Sequence, residues 1–117
     1  MPQPIGMQAI YYADARQQVR YMPHGPQPQF VLDSEHVRVL LSGLEPGQSI
    51  PAHPEALALY TFLEGQGSMQ VGEEQFPVGP GALIVVPAGV ARGMVAETRL
   101  SFVAARYGEC TEQERMR

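Results

Sequence analysis

Residues 45–96 read EPGQSIPAHPEALALYTFLEGQGSMQVGEEQFPVGPGALIVVPAGVARGMVA. Short apolar runs alternate here with glycine and proline punctuation. Leu57 to Glu64 is one such run, closed by Gly65-Gln66-Gly67. Ser68 to Val71 turns at Gly72-Glu73-Glu74 into Gln75 to Val78, a hairpin pattern. Gly79-Pro80-Gly81 leads into Ala82 to Val86, and Pro87-Ala88-Gly89 ends that run. Apolar runs of this length between turn signals read as strands rather than helices.

The rhythm continues on both sides. Phe30 to Leu32 ends at Asp33-Ser34, His36 to Leu44 ends at Glu45-Pro46-Gly47, and Arg99 to Tyr107 is the last strand. Many short strands at close spacing, with no sustained helical period, predict an all-β antiparallel barrel or sandwich. Val37 to Leu41 and Leu83 to Val86 are apolar on both faces. Such strands need cover on both sides, from a second sheet or a second subunit. The chain divides into an irregular segment over 1–29, a barrel over 30–107 and a polar tail over 108–117. In the first segment five prolines exclude a long helix. Ile10-Tyr11-Tyr12 suits a short strand there, and Asp14 suits the cap of a helical turn reaching Val19. This segment is the element expected to cover the barrel or to exchange in a homodimer.

The 117 residues carry 8 basic and 12 acidic side chains, for a net charge of −4, without a basic run. That excludes nucleic acid and an anionic membrane as natural partners. Every basic residue is Arg, so lysine Schiff-base chemistry is excluded. The single cysteine, Cys110, forms no intramolecular disulfide and no Cys-rich metal site. The start lacks a signal-peptide pattern and no apolar run is long enough to span a bilayer, so the expected location is cytoplasmic.

Residues 45–96 resemble the cupin superfamily. Its first motif has the form G-x5-H-x-H-x3/4-E-x6-G, and Gly47 and His53 match it. Its second has the form G-x5-P-x-G-x2-H-x3-N, and Gly81, Pro87 and Gly89 fall at the required intervals. The resemblance implies a single jelly-roll β-barrel. It also implies a metal held by His, His and Glu from the first motif and His from the second. Here the first ligand is His53 and the second position holds Glu55. The third falls on Ala58, Leu59 or Tyr60 according to register, and the fourth is Arg92, with Ala96 where the family has Asn. None of the three alternatives is a carboxylate, and a guanidinium has no lone pair to give a metal. The site is degenerate. The expectation is no metal and no other cofactor, with an Arg92–Glu55 contact in its place and His53 beside it.

The function read from these residues is metal-free binding of a small organic ligand, with anions suited to Arg92. The binding residues would be His53, Glu55, Arg92 and the hydroxyl of Tyr60. A divergent metal-dependent enzyme is the alternative, using His53, Glu55 and a further ligand such as His36. A structural or protein-interaction role is the third reading. His24 and His36 read as hydrogen-bonded or solvent-facing, Cys110 as an inert thiol, and Tyr60, Phe62, Met69 and Tyr107 as core, with the Tyr60 hydroxyl still able to meet a ligand.

Overall fold

The computed structural model describes residues 8–108. Among them are nine strands: β1 (Gln29–Asp33), β2 (Val37–Leu44), β3 (Ser49–His53), β4 (Leu57–Glu64), β5 (Gly67–Val71), β6 (Glu74–Val78), β7 (Leu83–Val86), β8 (Arg92–Ala96) and β9 (Leu100–Tyr107). They form two antiparallel sheets, β1-β2-β9-β4-β7 and β3-β8-β5-β6. This all-β architecture is the expected one. No described helix is long and apolar enough to cross a membrane.

The apolar rhythm did not mark β3 or β8. SIPAH contains Pro51 and one large aliphatic residue, and RGMVA opens on a charge and a glycine. Neither has the alternation or β-branched density that announces a strand. Both carry site residues. Ile10-Tyr11-Tyr12 is not a strand, because the three side chains are exposed and the segment pairs with no sheet. Asp14 does cap a short turn, the 3-10 helix Ala15–Gln18, by accepting the Arg16 N–H at 3.1 Å. Cys110 and the tail beyond Gly108 lie outside the described residues.

The core lies between the sheets. Leu44 and Leu100 face each other in register, and Phe102 packs between Tyr60 and Phe62 at ring distances of 5.8 and 5.7 Å. Met69 joins them from β5. Phe62 and Met69 are therefore core, as expected, whereas Tyr107 is exposed.

The outer face of the five-stranded sheet is apolar as well. One row runs Val37, Tyr107, Leu57, the next Val39, Ala105, Leu59, Val85, and the third Leu41, Val103, Thr61, Leu83. The N-terminal segment crosses one flank of this face. A Cβ on Gly43 would meet Val19 Cγ1 at 2.6 Å, the Arg20 carbonyl at 2.8 Å and Tyr21 Cδ1 at 2.9 Å. Only glycine permits that approach. Tyr21 in turn stacks under the Arg99 guanidinium at 4.7 Å. Arg99 donates two hydrogen bonds to Glu45, at 2.7 and 3.1 Å, which hold the Glu45 carboxyl below its ordinary range. Gln48 Nε2 donates to the Met22 carbonyl at 2.7 Å.

Gly43→Ala should therefore lift this segment from the sheet, at an overpacking cost of about 1–3 kcal/mol. We expect trypsin to cleave after Arg16 and Arg20 faster than in the wild type, with the barrel's circular dichroism unchanged. Equal cleavage rates would contradict the strapping role.

Candidate functional site

Between the sheets, at the end away from Leu44 and Leu100, lies a cavity of about 320 Å³. His53, Glu55, Tyr60 and Arg92, the residues singled out in the sequence, all line it. So do Ser42 and Arg106, which that reading did not mark. Pro26 and Pro28 of the N-terminal segment complete the wall.

Backbone register places these side chains. Ile50 pairs with Met94 and His53 pairs with Arg92, so β3 advances three residues where β8 retreats two. The extra residue is a β-bulge beside Pro51, whose missing N–H already interrupts the ladder. It reverses the parity of β3 and puts His53 on the same face as Arg92 and Met94. On β4 the alternation turns Ala58 and Tyr60 inward and Leu59 outward. Tyr60 is the one of these three that reaches the cavity. On β9 the inward row is Phe102, Ala104, Arg106. Phe102 forms a floor, Ala104 leaves room, and Arg106 brings a cation to the mouth.

Arg92 is 1% exposed, and its hydrogen bonds run to backbone carbonyls. Nε donates to Val90 at 3.0 Å, Nη1 to Ala56 at 2.8 Å, and Nη2 to Glu55 and Pro87, each at 3.1 Å. Four of five donors are thus taken by the β3–β4 and β7–β8 connections. The Gly89 N–H adds a parallel link to the Glu55 carbonyl at 2.9 Å. The expected Arg92–Glu55 contact exists, but through the Glu55 main chain.

The Glu55 carboxylate sits elsewhere. Oε2 lies 3.8 Å from Arg106 Nη1 and 4.0 Å from His53 Nε2, and Oε1 accepts the Ala56 N–H at 3.2 Å. His53 Nδ1 is 2.9 Å from the Pro51 carbonyl. A carbonyl only accepts, so Nδ1 donates to it, and Nε2 is the ring nitrogen that faces Glu55. Arg106 differs from Arg92. Its side chain is 24% exposed, and its guanidinium makes the long Glu55 contact without a hydrogen bond among the described residues. His36 is exposed, beside Glu35 at 4.0 Å, and does not line the cavity.

These residues do not fit the metal of the cupin pattern. His53 and Glu55 are two donors, and a transition metal normally takes three or four from protein. No group of three His, Cys, Asp or Glu that could hold a metal ion occurs among the described residues. Tyr60 and Arg92 occupy the remaining positions, and two guanidiniums face the cavity against one carboxylate.

The family model described as the cupin domain matches residues 40–105. No curated protein matches the sequence. Among solved structures, the TT1209 protein of Thermus thermophilus is 28% identical with a TM-score of 0.75, covering 84% of this chain and 98% of its own. A conserved protein of unknown function from Streptococcus pyogenes is 20% identical with a TM-score of 0.77, covering 95% and 98%. A cupin superfamily protein from Desulfitobacterium hafniense is 13% identical with a TM-score of 0.78, covering 92% and 100%.

Removing the Arg92 donors should strand carbonyls in both connections. Arg92→Met is expected to lose about 3 kcal/mol or more in denaturant unfolding, with Arg92→Lys intermediate. Wild-type stability in Arg92→Met would show that the four contacts do not hold the rim together.

Proposed function

The chain belongs to the cupin domain family, and we propose that it is a member that holds a small organic anion in its barrel without a metal. The observation that carries this reading is Arg106. A guanidinium three-quarters buried beside an apolar cavity, in a 3.8 Å ion pair with Glu55 but with no side-chain hydrogen bond among the described residues, has donors left for an incoming acceptor. Its fork suits a carboxylate. Arg92 adds positive potential from behind, while its own donors stay on the rim. Leu40, Ile50, Met94 and Phe102 supply apolar walls for the body of the ligand. The cavity volume equals the liquid space of about ten waters, which suits a ligand of roughly ten non-hydrogen atoms.

Isothermal titration with benzoate tests the reading. We expect saturable 1:1 binding that chelator treatment leaves unchanged. Arg106→Gln should weaken it about tenfold or more, the equivalent of one charge-assisted hydrogen bond. Ala104→Leu should block it by filling the gap between Phe102 and Arg106. Equal affinity in wild type and Arg106→Gln would contradict the role given to Arg106.

We further propose that the chain forms a homodimer through the outer face of its five-stranded sheet. The exposure of Leu57, Leu83, Val85 and Tyr107 in adjoining register positions supports this. Light scattering at high micromolar concentration should give a dimer mass, and Leu83→Glu should reduce it to a monomer. A monomeric wild type would contradict the assembly.

A further inference from the structure

Ser42 is 3% exposed and Tyr60 is 7% exposed, yet both line the cavity. Neither side-chain hydroxyl has a hydrogen-bond partner among the described residues. Both oxygens open on the cavity instead of being sealed off, since Ser101 Oγ is the one sealed, unpartnered side-chain oxygen or nitrogen among the described residues, and the two converge on one space from opposite flanks of β9. Register fixes their depth. Tyr60 pairs with Ala104, and Ser42 pairs with Phe102. At roughly 3.4 Å per residue, these rows lie about 7 and 14 Å behind the Arg106 row. Their surroundings are otherwise apolar, with Leu40, Met94 and Phe102 nearby.

We propose that this deep end recognises a second polar group, so that the ligand is a carboxylate carrying a hydroxyl or carbonyl remote from its charged end. The inference rests on the anion reading of Arg106 and extends it. Arg106 takes the carboxylate at the mouth, the spacer lies over Ala104, and Tyr60 bonds the far oxygen, with Ser42 reached by the longer ligands. A serine or tyrosine hydroxyl both donates and accepts, so an alcohol and a ketone are both served. A purely apolar tail would leave both hydroxyls stranded.

Benzoate, 3-hydroxybenzoate and 4-hydroxybenzoate are the probes, titrated into wild type, Tyr60→Phe, Ser42→Ala and Arg106→Gln. At least one hydroxylated probe should bind wild type about fivefold to tenfold tighter than benzoate. Tyr60→Phe should bring that preference to within about twofold, and Ser42→Ala should erode it less. Both substitutions are near-isosteric, and unfolding midpoints will show whether the fold is intact. Equal affinity for all three probes in wild type, with loss of binding in Arg106→Gln, would overturn the second-pole inference and leave the anion site standing. A preference that survives Tyr60→Phe and Ser42→Ala would overturn it too. Failure of every probe to bind wild type would overturn both readings.

Discussion

A buried guanidinium bonded to four carbonyls is the constraint on which the site depends. Taking a cation out of water costs several kcal/mol, so Arg92 can occupy the barrel only if its surroundings replace the lost solvation. Each charged hydrogen bond returns about 1.5–3 kcal/mol, and the Val90, Ala56, Glu55 and Pro87 carbonyls provide four. All belong to the two connections that close this end of the barrel. Arg92 therefore fixes the rim and holds a positive charge behind the cavity in one contact set. The position that carries a metal ligand in the cupin pattern has become a structural tie.

That tie redistributes the chemistry. With the Arg92 donors taken, the proposed recognition of an anion falls to Arg106, whose side chain makes no hydrogen bond among the described residues and whose nearest counter-charge is the shared Glu55 oxygen. The cavity itself comes from volume. Phe102 fills the barrel between Tyr60 and Phe62, and Ala104, one inward position further along β9, leaves the space unfilled. The N-terminal segment, held down over Gly43, adds Pro26 and Pro28 to the wall.

Much of this was legible in the sequence. The turn glycines and the apolar runs marked seven of the nine described strands, and the residues singled out by motif spacing, His53, Glu55, Tyr60 and Arg92, line one cavity. What was not legible has specific causes. β3 and β8 lack apolar alternation because a proline bulge and an inward arginine interrupt it, so they are strands by pairing rather than by propensity. The carbonyl partners of Arg92 come from two loops more than thirty residues apart in one case, and no side-chain pattern announces a main-chain acceptor. Arg106 and Ser42 did leave a signal. Period two along LSFVAARY puts Phe102, Ala104 and Arg106 on one face, and the same rule puts Ser42 beside Leu40 and Leu44. A charge or hydroxyl on an otherwise apolar inward row marks a site, and spacing-based motifs pass over it.

The central claim is that a cation has replaced the metal of the cupin pattern. Elemental analysis of untreated protein, purified without chelator or metal-affinity steps, tests it most directly. The account predicts transition metal well below one equivalent per chain, unchanged in His53→Ala. About one equivalent in the wild type, lost in His53→Ala, would contradict it.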